Sequence, residues 1–129
     1  MEQFCLDTPK EGFVDITVKV RELVRRSHIG QGICQVFVPH TTAGITINEN
    51  ADPDVVTDMM LALERMVPKL PYRHMEGNSP AHVKSSLVGC SITLPVENNN
   101  LLLGTWQGIY FCEFDGPRRR DVWVQVMGV

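Results

Sequence analysis

Ile33-Cys34-Gln35-Val36-Phe37-Val38-Pro39-His40-Thr41-Thr42-Ala43-Gly44-Ile45-Thr46-Ile47-Asn48 reads as strand, short link, strand. From Ile33 to Val38 the chain is almost continuously apolar and Pro39 closes the run, which predicts a strand covered on both faces. Beyond the link Ile45 and Ile47 alternate with Thr46 and Asn48, the period of a second strand. His40 therefore falls at a strand edge or in a tight connection.

Upstream, Ile16, Val20, Leu23 and Val24 recur at helical spacing, with Glu22 four residues before Arg26, and predict a helix over 16–29 ending at Gly30. The β-branched Ile16, Val18 and Val20 would also fit a strand. Downstream, Asp52-Pro53 pairs a capping acid with proline at the first helical position. Val55, Val56, Met59, Met60, Leu63, Met66 and Val67 then line one face, expected to pack into the core, until Pro68 stops the helix. Pro71 to Ser79 reads as an irregular loop, and Ser79-Pro80 opens a short helix reaching about Val88.

The remainder alternates as β structure. Cys90, Ile92, Leu94 and Val96 form one run, and Glu97-Asn98-Asn99-Asn100 turns the chain. Ile109 to Phe114 and Val122 to Met127 flank Asp115-Gly116-Pro117-Arg118 as an expected hairpin. Helices interspersed among such strands predict a single α+β domain over residues 1–129, with helices packed on a largely antiparallel or mixed sheet.

The formal net charge of −3 offers no general attraction to nucleic acid or to an anionic membrane, so neither is expected as a partner. No apolar stretch is long enough to span a bilayer and no signal pattern opens the chain, which predicts a soluble, cytoplasmic protein. Cys5, Cys34, Cys90 and Cys112 lack metal-ligand spacing and read as buried free thiols. The one dense basic run, Arg118-Arg119-Arg120, is either a solvated turn or a phosphate clamp, since guanidinium forks match phosphate oxygens.

Three of the four histidines, His40, His74 and His82, lie where regular elements begin or end. Brought together they would supply three nitrogen donors to a divalent metal, zinc foremost, and leave a fourth position open, as in catalytic sites. Carboxylates Glu49, Asp52 and Glu76 lie close by in sequence. His82 falls in the first turn of its helix, where the dipole disfavours imidazolium and favours the neutral, metal-binding form. Gly77-Asn78-Ser79-Pro80 places free backbone N–H groups at that same helix start, a natural anion cradle. In Gly104-Thr105-Trp106-Gln107-Gly108, Trp106 and Gln107 either stack on and bond to a ring or belong to close internal packing.

Taken together, Val38 to Ala43, Thr46 to Val55, Tyr72-Arg73-His74, Glu76-Gly77-Asn78, Ala81 to Leu87, Gly104 to Gly108 and Glu113 to Arg118 resemble the YjbQ family over essentially the whole chain. That resemblance implies secondary thiamine-phosphate synthase activity, in which a hydroxymethylpyrimidine diphosphate is joined to a thiazole phosphate. It implies a homotrimer, with a divalent metal at His40, His74 and His82 near a subunit boundary. It places Glu49, Asp52, Glu76 and Arg118 at the catalytic motif positions. Asn78, Trp106, Gln107 and Arg119 are the expected substrate-binding residues. A metal-dependent hydrolase using Glu49 or Glu76 as base would employ the same residues, and so would a non-catalytic metal- or ligand-binding trimer.

Overall fold

The computed structural model describes all 129 residues. In chain order the elements are β1 (Glu2–Asp7), β2 (Gly12–Asp15), α1 (Thr17–Arg26), β3 (Gln31–Phe37), β4 (Ala43–Glu49), α2 (Pro53–Met66), α3 (Ser79–Val88), β5 (Ser91–Glu97), β6 (Asn100–Leu101), β7 (Gln107–Glu113) and β8 (Arg119–Gly128). The strands form two sheets, ordered β1-β8-β3-β5-β6 and β2-β7-β4. Every pairing in them is antiparallel. The α+β class stands, with two sheets in place of one.

Three helices and the two sheets make two cores. The larger joins Val20, Leu23 and Val24 of α1 to Cys34, Val36, Val122 and Val124 of the five-stranded sheet and to Ile45, Ile109 and Phe111 of the other. The smaller lies on the opposite face of β7, where Tyr110, Cys112 and Phe114 meet Ala81 of α3 with Val56 and Leu63 of α2. Strand alternation explains the division: odd residues of β7 face α1 and even ones face α2 and α3.

Several expectations are corrected. It is β7, not β3, that is covered on both faces; Gln31, Ile33 and Gln35 of β3 are exposed while Gly32, Cys34 and Val36 are buried. Asp52 does cap α2, accepting from the Asp54 N–H at 2.9 Å, yet no residue of that helix is fully buried and Met59 is half-exposed. Its apolar stripe covers only the outer face of the smaller sheet. Asn78 rather than Ser79 stands at the N-cap of α3. Cys5 and Cys90 are exposed, leaving Cys34 and Cys112 as the buried thiols.

The largest correction concerns Ile109 to Met127. No hairpin forms, because β7 pairs with β2 and β4 while β8 pairs with β1 and β3. Phe114 to Arg118 instead carries the chain from one sheet to the other. Val38 to Thr42 does the same between β3 and β4. Since Ala43 pairs with Glu113 and Phe37 with Trp123, the two crossings run side by side at one end of the molecule. The N–H of Phe114 donates to the Thr42 carbonyl at 3.2 Å and ties them together.

Candidate functional site

A polar cavity of about 390 Å³ opens over the two adjacent crossings. Pro39, His40, Thr41 and Thr42 line it from the first, Asp115 and Arg118 from the second, Arg120 from the start of β8 just beyond it, and His74, Glu76, Asn78 and His82 from the loop and first turn of α3. No hydrophobic side chain contributes to the lining. Such a surface suits a charged, strongly hydrated ligand better than an apolar one.

Helix α3 is held over the crossings by three fixed contacts. Ser85 Oγ donates to the Ala43 carbonyl at 2.7 Å, directly after the first crossing. Lys84, buried, bonds Glu11 and Glu64 at 2.7 Å each, which locks α3 to α2 and to the β1–β2 connection. At Gly44 a Cβ would stand 2.7 Å from the Gly89 carbonyl oxygen, so only glycine lets β4 approach the end of α3 this closely. His82 is carried on this pinned helix. His74 meets it edge-on, with ring centroids 5.4 Å apart, and leans 3.8 Å from Glu76 at the exposed rim.

Beneath the histidines lies a buried ion pair. Arg120 Nε donates to Glu113 Oε1 at 2.7 Å and its Nη2 donates to Glu113 Oε2 and, at 2.9 Å, to Thr42 Oγ1. Thr8 Oγ1 and the Asp115 N–H donate to the same carboxylate. Burial pushes the Glu113 carboxyl up, but these hydrogen bonds and the adjacent guanidinium outweigh it and hold the group below the usual carboxylate range. Asp115 is likewise held low, first by the hydrogen bond from Asn78 Nδ2 at 2.9 Å and then, against some desolvation, by Arg118 at 3.0 Å. Asn78 Oδ1 is buried with no donor.

His40 differs from the other two imidazoles. Its Nε2 accepts a hydrogen bond from the Asp121 backbone N–H at 2.9 Å. Burial, and then the positive charge of Arg120, hold the ring below the ordinary histidine range against the pull of Asp121 and Glu113. No group of three or more His, Cys, Asp or Glu side chains stands close enough to share a metal ion. With Nε2 of His40 already engaged, these three histidines in this arrangement do not fit a common ion.

Of the residues singled out in the sequence, His40, His74, His82, Glu76, Asn78 and Arg118 are thus gathered in one cavity. The others do not line it. Asp52 caps α2, and Glu49 ends β4 with its carbonyl accepting from the Tyr110 hydroxyl at 3.1 Å. Trp106 is exposed on the turn before β7, while Gln107 folds back to accept the Gly104 N–H at 2.7 Å. Arg119 points away from the cavity toward Asp7 of β1 at 3.4 Å. Thr41 and Thr42 line the site without having been singled out for it, and Arg120, read in the sequence only as part of a solvated turn or a phosphate clamp, lines it with Asp115. The parity of β8 carried a signal, since Arg120 shares the register of the inward-facing Val122 and Val124, and a buried arginine requires a partner.

The model of the family described as UPF0047 protein YjbQ-like matches residues 2–129. UPF0047 protein MJ1081 of Methanocaldococcus jannaschii is 53% identical over 92% of this chain and 87% of its own. UPF0047 protein YugU of Bacillus subtilis is 52% identical over 94% and 93% respectively. Among solved structures, an uncharacterized conserved protein of the YjbQ/UPF0047 family from Clostridium acetobutylicum superimposes with a TM-score of 0.95 at 52% identity, covering 98% of this chain and 100% of that one. The conserved hypothetical protein TT1486 of Thermus thermophilus superimposes at 0.92 with 43% identity, over 98% and 100%.

Proposed function

We propose, for a chain that belongs to the UPF0047 YjbQ-like family, that the cavity at the paired crossings is an active site for a phosphorylated small molecule. The reaction is the joining of a hydroxymethylpyrimidine diphosphate to a thiazole phosphate, with release of pyrophosphate. One observation carries this reading. Four separated stretches of chain deliver two arginines, three histidines and an asparagine to one cavity, against only two carboxylates in its lining.

In such a displacement the bond from the pyrimidine methyl carbon to the diphosphate oxygen stretches, negative charge collects on the diphosphate, and the thiazole nitrogen closes the new bond. Arg118 and Arg120 are placed to receive the growing charge, and the imidazoles add donors around it. Donors already fixed by their own partners need not reorganise as the charge develops, which is where their advantage over water lies. The resemblance carries a divalent metal, zinc, into the same reading; the arrangement offers it His74 and His82 and does not offer His40, so no step is assigned to it. A homotrimer and a cytoplasmic setting come from the same reading. The half-exposed apolar residues of α2 support association, and no helix is long and apolar enough to cross a membrane.

Incubation of the purified protein with the two phosphorylated halves, with thiamine phosphate quantified chromatographically, tests the reaction. The protein should form product, and His82→Ala should abolish it while melting within a few degrees of the parent. Absence of product, or full turnover by His82→Ala, would contradict the reading.

A further inference from the structure

We infer that His40 and Arg120 form a fixed floor of hydrogen-bond donors for the anionic group of the ligand, His40 serving as a neutral donor through Nδ1 and not as a metal ligand. The inference rests on the reading that the cavity takes a phosphorylated molecule, and it adds which atoms receive the anion.

An amide N–H does not give up its proton at any ordinary pH, so the nitrogen that accepts from Asp121 must present a lone pair. His40 Nε2 is that nitrogen. The contact therefore holds only in the neutral ring, and the single ring proton resides on Nδ1. Nδ1 has no protein partner, and His40 lines the cavity. A metal at Nε2 would displace the amide and leave it buried beside an ion.

Arg120 is constrained in the same way. Nε and Nη2 are spent on Glu113 and Thr42, and Nη1 has no protein partner although the residue lines the cavity. Glu113 balances the guanidinium charge, so what Arg120 presents is chiefly a directed N–H at a position set by a buried network. His40 belongs to the first crossing and Arg120 to the start of β8, directly after the second. His74 and His82, in contrast, come from the loop before α3 and its first turn.

Nitrogen-detected NMR of the full chain labelled in histidine and arginine, titrated separately with inorganic pyrophosphate and with zinc, tests this. The free protein should show His40 as the Nδ1–H tautomer. Pyrophosphate should shift His40 Nδ1 and the Arg120 side chain, and saturating zinc should leave His40 Nε2 unmoved. His40→Gln, which keeps an acceptor near Asp121 and removes the donor at the Nδ1 position, should weaken pyrophosphate binding about tenfold, the usual scale for a hydrogen bond to a charged group. His40→Asn, which places an amide near the Nδ1 position, should retain most of the affinity. Movement of His40 Nε2 onto zinc, or undiminished pyrophosphate binding by His40→Gln, overturns the inference. Pyrophosphate binding at the floor without thiamine phosphate formation supports the inference and defeats the reaction alone. No pyrophosphate binding by the unaltered protein overturns both.

Discussion

Arg120 grips both carboxylate oxygens of Glu113, seven residues earlier in the chain, across the point where the strands leave one sheet for the other. Both residues are buried, and the pair joins the floor of the cavity to the core of the smaller sheet. Removing one partner would leave the other as an uncompensated buried charge. Arg120→Met should therefore cost about 3 to 5 kcal/mol of stability, read from urea denaturation. A loss below 1 kcal/mol would show that solvent reaches Glu113 freely.

Acid should act through the same network. Glu113 and Asp115 are held below their ordinary values, so the folded chain binds fewer protons than the unfolded one. Their stabilisation is complete above the unfolded carboxylate range near pH ~4 and is lost as pH falls through the lower folded values. His40 is also held low, so the unfolded chain takes up a proton near pH ~6.5 while the folded ring stays neutral. Stability therefore declines as pH falls from there toward the folded value. Thermal melts across this range should show both declines, and His40→Gln should remove the upper one. An upper decline that is unchanged in His40→Gln would contradict the assignment to His40.

Adjacent arginines should separate in function. Arg118 lines the cavity, whereas Arg119 lies on the outer face of β8 beside Asp7. Arg118→Ala should lower the rate of product formation by about 10²-fold, the scale for loss of one donor to a developing anion. Arg119→Ala should leave the rate within about twofold and change stability by less than about 0.5 kcal/mol, as exposed ion pairs do. Steady-state kinetics on both variants decides this, and equal effects would contradict the placement.

Core and half-covered positions should also part. Leu23, buried in α1 against both sheets, should lose about 2 to 5 kcal/mol on replacement by alanine. Met59→Ala at the half-exposed face of α2 should lose less than Leu23→Ala at low protein concentration. If that face is covered in a homotrimer, Met59→Ala should also shift the light-scattering mass toward the monomer. A stable monomer for the unaltered chain at micromolar concentration would contradict association.

Most elements from Thr17 onward were legible because periodicity and capping residues act locally. Asp52-Pro53 opened α2, and the alternation around Ile45 marked β4. The hairpin expected at Asp115-Gly116-Pro117 failed because turn residues report only that the chain bends. They say nothing of whether the two strands pair with each other or with different sheets. The sequence left Arg118-Arg119-Arg120 open between a solvated turn and a phosphate clamp; the crossing divides the run, sending Arg118 and Arg120 to the cavity and Arg119 outward. His40, His74 and His82 were legible as a group since all occupy element ends. The engagement of His40 Nε2 was not, because it depends on a backbone amide 81 residues away that only the pairing of β3 with β8 brings near.

The location of the bound diphosphate tests the account most directly. Crystals of the protein soaked with hydroxymethylpyrimidine diphosphate should show the diphosphate over the paired crossings, within hydrogen-bonding distance of Arg118, Arg120 Nη1 and His40 Nδ1. Density for the ligand at any other place on the chain, with that cavity left to solvent, would contradict it.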